Sequence, residues 1–404
     1  MPHALGGVRV IEFGSFITAP YCSKLLADLG ADVIKIEPPE EGDESRTFGP
    51  FHGDVPHPEK SGLFLYLNCN KRGITLKVET PTGRNMFREL VEAADILIEN
   101  QQPGLMKDLG LDYDDLKKAN PRLIMTSITT FGRTGPYAGY KGCDLLAWHG
   151  SGCAHKYLGE PDREPLRSAW YLADHWAAMN ATTATMLALE ARESIGRGQH
   201  VDISAADNLA AFIMGYQVVT GYRLTGEWKA RGGAGKQGGA PTGMYPCMDG
   251  YVSMRVQERH HWESLVKVMG SPAWTQTPMY QNPKWDQPEY EATTYPSMKP
   301  WLDSHTKAEI FEACQQSRVP VGPVYNSKDL VENRQLASRR YFADIDHPAV
   351  GKTTVPGEPY AFSQTPWTLR RPAPLLGQHN QEVYCGLLGF SNRDVAGLYR
   401  GGVI

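Results

Sequence analysis

Short apolar runs alternate with amphipathic stretches along the first two hundred residues. Val8–Phe13 (VRVIEF) and Asp32–Glu37 (DVIKIE) read as buried strands, and Pro20–Leu29 between them reads as a helix stopped by Gly30. The alternation resumes with a strand at Gly73–Val78, a helix over Thr82–Ala93, and strands at Asp95–Glu99 and Leu123–Thr130. Nearly continuous apolar strands separated by helices predict β-α-β units and a doubly wound parallel sheet. Two long helices are expected from about Asp144 and from about Asp174, the second closing at Gly196. A strand at His200–Ser204 and a helix from about Ala206 to Gly221 follow. Ala230–Gly243 is dense in glycine, too flexible for a regular element. Beyond it, Met244–Cys247 and Tyr251–Arg255 flank Asp249-Gly250, a hairpin signal. Helices at His260–Met269, Thr306–Gln316 and Ser327–Glu332 complete a smaller α+β region. Gly351–Pro374 is proline-rich without periodicity, and helices near Gln381–Gly389 and after Ser391 end the chain.

Composition narrows the class. With 404 residues, 41% hydrophobic and 21% charged, the chain is globular and long enough for two or three domains. The 41 basic against 45 acidic side chains give a net charge of −4, which argues against nucleic acid as a partner. Seven scattered cysteines without a C-x-x-C pair fit a reducing cytoplasm and no metal site. No leader is indicated at the N-terminus, and no run approaches the roughly 18 apolar residues a membrane span needs.

Several familiar chemistries are excluded. The first turn reads G-S-F-I-T-A-P, without the G-x-G-x-x-G of a dinucleotide site, although Glu37 stands where a ribose-binding acid would. Gly235-Lys236 is followed by Gln237 where a phosphate loop needs Ser or Thr. His260 and His261 are adjacent on a helix and cannot face one metal, and no G-x-S-x-G elbow exists. Two aspartates, Asp144 and Asp174, stand where helices begin. Each suits an N-cap, and each, kept ionised by the helix dipole, suits a nucleophile on an activated acyl group. Spacing alone does not choose between them.

A series of motifs does. Ala19–Pro39 with Gly42-Asp43 and Arg46, Asn68–Lys77, Ile98–Gly104, Asn120–Ile124, Phe131–Tyr137, Gly196-Arg197-Gly198-Gln199, Val319–Val324 and Arg371–His379 together resemble family III CoA-transferases, in order along nearly the whole chain. The resemblance implies transfer of CoA from an acyl-CoA donor to a free carboxylic acid, through an aspartyl mixed anhydride and an aspartyl-CoA thioester. The family's nucleophile lies just ahead of the helix ending in G-R-G-Q, which places it at Asp174. By the same resemblance Gly238 and Gly239, in the loop Gly232–Gly239, cover the reacting aspartate and donate N–H groups. CoA is expected at Ser15, Phe16, Thr18, Ala19, Leu76, Asn100 and Lys141, with Lys71, Arg72 and Lys107 as further basic candidates.

Departures from the family pattern concern specificity. Gln101-Gln102-Pro103-Gly104 replaces an F-R-P-G-like sequence, and Asp108 stands where a basic residue is common. Ile17 and Trp148 replace glutamines. With Trp170 and Trp176 near Asp174, a bulkier or more apolar acid than formate or oxalate is expected. The same fold hosts α-methylacyl-CoA racemases, which carry a histidine where this chain has Cys143; loss of that base makes racemisation the second reading, and a non-catalytic subunit the third. The implied architecture is a Rossmann-like large domain built from both chain ends (1–204 and 331–404), a linker helix at 205–229, and a small α+β domain at 230–330. Two subunits are expected to interlock as a homodimer, or as a heteromer with a paralogue.

Overall fold

The computed structural model describes residues 3–213, 219–228, 241–281 and 288–404. The chain divides into two units: Met1–Cys153 with Arg167–Leu224 and Ala337–Ile404, and a smaller one of Ala154–Leu166 with Thr225–Leu336. Both chain ends lie in the larger unit. The segment 154–166 goes with the smaller unit, and Ala205–Ile213 packs on Leu172–Ile195 inside the larger one, so neither follows the expected boundaries.

The larger unit carries six parallel strands: β1 (Arg9–Phe13), β2 (Asp32–Glu37), β3 (Arg72–Thr75), β4 (Ile96–Glu99), β5 (Ile124–Thr129) and β6 (His200–Ser204). Their order is β3-β2-β1-β4-β5-β6. Helices cover both faces, which is why the strands read as unbroken apolar runs. Val10, Ile11, Ile34, Ile96, Leu97 and Ile98 are all fully buried. Each contributes about 1.5–3 kcal/mol relative to exposure, an upper estimate. Order reverses between β1 and β4, and in such sheets a ligand crevice opens beyond the carboxyl ends of those two strands.

The helix Leu172–Ile195 buries a stripe of Ala173, Ala177, Ala178, Ala181 and Ala188. These small side chains let it lie close to β5 and to the helix Thr18–Asp28. A buried Thr126–Thr185 hydroxyl pair, 2.7 Å apart, fixes its register on the sheet. The opposite face exposes Leu172, Met179 and Leu187.

In the smaller unit β7 (Thr242–Cys247), β8 (Gly250–Arg255) and β9 (Val321–Val324) form an antiparallel sheet in that order. Helices Arg259–Val268 and Lys307–Gln316 pack around Val252, Trp262, Leu265 and Ile310. Two expectations need correction, and one helix has no counterpart among the expected elements. The helix from Asp144 is short, Asp144–Gly150. Pro288–Asp303 is a helix despite Pro296 and Pro300 inside it. Gly351–Pro356, expected to be irregular, is β11, paired antiparallel with β10 (Phe342–His347). Among the described residues no helix is long and apolar enough to cross a membrane.

Candidate active site at the sheet's switch point

The turn after β1 is held by side chains from far away in the chain. Gly14 opens it, and no other residue fits: a Cβ there would stand 2.3 Å from that of Ala19 and 2.6 Å from the Asn100 Oδ1. Asn100, just past β4, accepts the Ser15 N–H at 2.9 Å and donates to the Ser15 carbonyl at 2.8 Å and the Thr18 hydroxyl at 2.7 Å. Asp43 accepts the Phe16 N–H at 3.1 Å and the Ser45 N–H at 2.7 Å.

Behind Asp43 lies a fully buried charge network. Lys35 donates to Asp43 Oδ2 and to Glu12 Oε1, each at 2.6 Å, and to the Gly14 carbonyl at 3.2 Å. Burial opposes ionisation of Glu12 and Asp43, but the lysines beside them win and hold both carboxyls below their ordinary values. Lys71 closes the network, donating to Glu12 Oε2, the Pro20 carbonyl and Asn68 Oδ1, each at 2.8 Å. Burial pushes its ammonium down to about 8.

These contacts correct part of the expected CoA set. All three donors of Lys71 are engaged inside the protein, so it has none left for a phosphate. Arg72 opens β3, at the strand end away from the crevice, and pairs with Asp32 and Glu382. Leu76 is buried in the core and Ala19 is fully buried in the first turn of its helix. Lys107 is exposed outside the cleft, and Ser15 is engaged within the protein by its backbone and by its hydroxyl, which accepts the Glu44 N–H at 3.0 Å.

The crevice itself is a cleft of about 460 Å³. Phe16 and Thr18 line it after β1, Phe48 after β2, Asn100 after β4, and Lys141, Asp144 and Asp174 from the β5–β6 connection. Gly142 lets that connection pass, since a Cβ there would stand 2.2 Å from the Thr130 hydroxyl. A second clamp ties the β4 and β5 loops: Glu99 accepts the Gln101 N–H at 2.7 Å and pairs with Arg133 at 3.0 Å. Burial nonetheless raises the Glu99 carboxyl above its usual range.

The two aspartates meet. Asp174 stands in the first turn of Leu172–Ile195, and its N–H donates to Asp144 Oδ1 at 3.2 Å. Neither side chain caps its helix. Contrary to the helix-dipole expectation, the Asp174 carboxyl is pushed up to about 7, first by burial and then by the charge of Asp144. The expected tryptophans are not its neighbours in the cleft. Trp148 is 3% exposed in the core, Trp170 is 76% exposed, and Trp176 packs on Phe212. The apolar wall is instead Phe16, Phe48 and Tyr171, with Tyr137 and Tyr140 stacked further out. Gly238 and Gly239 lie outside the described residues.

Sequence reasoning missed the Glu12–Lys35–Asp43–Lys71 network. Its signal was present: Glu12 and Lys35 sit inside otherwise apolar parallel strands, where a charge requires a partner. Phe48 and Tyr171 left no signal, being isolated aromatic residues in irregular segments.

Comparison with known proteins agrees with this geometry. The model of CoA-transferase family III matches residues 5–380. The chain is 34% identical to the BbsE subunit of succinyl-CoA:(R)-benzylsuccinate CoA-transferase from Thauera aromatica, covering 98% of this chain and 97% of that one. It is 31% identical to formyl-CoA:oxalate CoA-transferase from Bradyrhizobium diazoefficiens, covering 100% and 98%. A CAIB/BAIF family protein from Brucella suis superposes with a TM-score of 0.85 at 29% identity, over 96% of this chain and 100% of that one. A half-buried acid at the switch point of a 3-2-1-4-5-6 sheet and matches across nearly the full length converge on one conclusion: the chain belongs to CoA-transferase family III.

Proposed function

We propose that the protein moves CoA from an acyl-CoA to a free carboxylic acid, with Asp174 as the nucleophile. The observation that carries this reading is the Asp174 carboxyl, in the cleft at the switch point and titrating near neutrality. The carboxylate attacks the thioester carbonyl, forming a mixed anhydride and releasing CoA thiolate. The thiolate attacks the Asp174 carbonyl, expelling the donor's acid and leaving an aspartyl thioester. The acceptor carboxylate attacks that thioester, releasing the thiolate again, and the thiolate takes the acceptor's acyl group and restores Asp174. No net proton is consumed. Burial supports the cycle twice, by keeping water from the anhydride and by making the carboxylate a poorly solvated nucleophile.

CoA is read as substrate, approached from the turn held by Asn100, with Lys141 the ammonium among the described cleft residues. Racemisation needs a base for carbon α, and among the described residues no imidazole lines the cleft. The exposed apolar face of Leu172, Met179 and Leu187 supports an interlocked homodimer, which monomers at nanomolar concentration by mass photometry would contradict. The relative named as a subunit keeps a heteromer with a paralogue as the second arrangement. The function is tested by offering pooled acyl-CoAs with pooled free acids and reading the new thioesters by mass spectrometry. Exchange that requires the acid supports transfer, whereas epimerisation without added acid supports the racemase.

A further inference from the structure

Two aromatic residues of the cleft wall hold backbone conformations that their side chains disfavour. Phe16 has φ 68° and Tyr171 has φ 53°, next to Trp170 at 52°. A left-handed backbone strains any residue with a Cβ and costs glycine nothing, so an aromatic ring kept there points to a use for the ring. Asp43 fixes Phe16 in this conformation by accepting its N–H. The result is a cluster of rings: Phe16 lies 4.8 Å from Phe48 and 4.9 Å from Tyr171, the latter at 90°. All three line the same cleft as Asp174.

The charges of the cleft point the same way. Its described lining carries Glu44, Asp144 and Asp174 against the single ammonium of Lys141. A substrate group bearing a second carboxylate would face mostly like charge, whereas a flat apolar group would find ring faces and edges.

We propose that Phe16, Phe48 and Tyr171 form an acyl subsite that selects an acid carrying an aryl ring. This deepens the CoA-transfer reading and rests on it. Ring packing of this kind selects by about tenfold or more over an acid that leaves the subsite empty.

The test offers acetate, succinate, phenylacetate and 3-phenylpropanoate at equal concentration to the full chain, with acetyl-CoA and succinyl-CoA as donors. Relative kcat/KM is read from the new thioesters by mass spectrometry. The aryl acids should win over acetate and succinate by about tenfold or more. Phe16→Gly removes the ring and also relieves the backbone, so it should keep or raise the Tm while cutting the aryl-to-acetate ratio by about tenfold. Phe16 as mere scaffold would instead lose Tm and slow all acids alike. The proposal is overturned by exchange among acetate and succinate without aryl preference, or by an unchanged ratio in Phe16→Gly. Absence of any exchange would defeat the CoA-transfer reading and this proposal with it.

Discussion

Asp174→Asn should melt at a higher temperature than the native protein while losing CoA transfer. The Asp174 carboxyl titrates at about 7 in the folded chain against an ordinary 3.8. The folded state therefore binds this proton more tightly than the unfolded state does. As pH rises from about 4 to about 7 the unfolded state releases its proton first, so stability falls across that window and levels off above it. Three pKa units set a ceiling of about 4 kcal/mol, and the partial exposure of Asp174 discounts it to about 1–3 kcal/mol. Asparagine cannot ionise and escapes the cost. The variant should gain about 2–5 °C by calorimetry at pH 8, roughly a third of that at pH 5, and almost nothing at about pH 3. Loss of the nucleophile should lower kcat by at least about a thousandfold. Asp144→Asn removes the second cause of the shift, so the acidic limb of the native rate profile should move to lower pH. An Asp174→Asn protein less stable than the native one at pH 8 would contradict the electrostatic account.

Lys35→Met should be the most damaging change away from Asp174. The substitution nearly conserves volume but removes an ammonium that sits 2.6 Å from both Glu12 and Asp43. Glu12 keeps Lys71, whereas Asp43 loses its counterion while buried. Breaking a buried pair in this way costs about 3–5 kcal/mol, read as a lower urea midpoint. The sign of the pH dependence identifies the cause. In the native protein Glu12 and Asp43 lie below their ordinary 4.5 and 3.8, so their contribution is complete above about pH 4.5 and is lost as pH falls through the depressed values. Without Lys35 the Asp43 carboxyl rises, and its protonation relieves the strain. The difference between variant and native should therefore shrink below about pH 4. A cost under about 1 kcal/mol at pH 7 would show that the network does not hold the turn.

The sheet was the most legible part of the molecule. β2 and β6 match their expected residues end to end, because parallel strands buried on both faces leave apolar runs bounded by turn residues. Pro288–Asp303 was hidden by its two internal prolines, which read as breakers although the helix tolerates them. β11 was hidden by the proline-rich tract that it opens. The proposed nucleophile was legible only through resemblance, since Asp144 and Asp174 look equivalent as helix-starting acids. Their hydrogen bond across thirty positions is a tertiary fact. Lys71 was misplaced for a related reason. A lysine between asparagine and arginine looks solvated, and nothing local shows that the fold brings Glu12, fifty-nine positions earlier, against it. The direction of the Asp174 shift was also misjudged, because the helix dipole is visible in sequence while burial is not.

The central claim is that the Asp174 carboxyl itself carries the acyl group and then CoA. The most direct measurement adds hydroxylamine during turnover with an acyl-CoA and an acid, then maps the modified peptides by mass spectrometry. The account predicts a hydroxamate at Asp174 that forms only in the presence of acyl-CoA. Modification at another carboxyl, or sustained exchange with Asp174 left untouched, would contradict it.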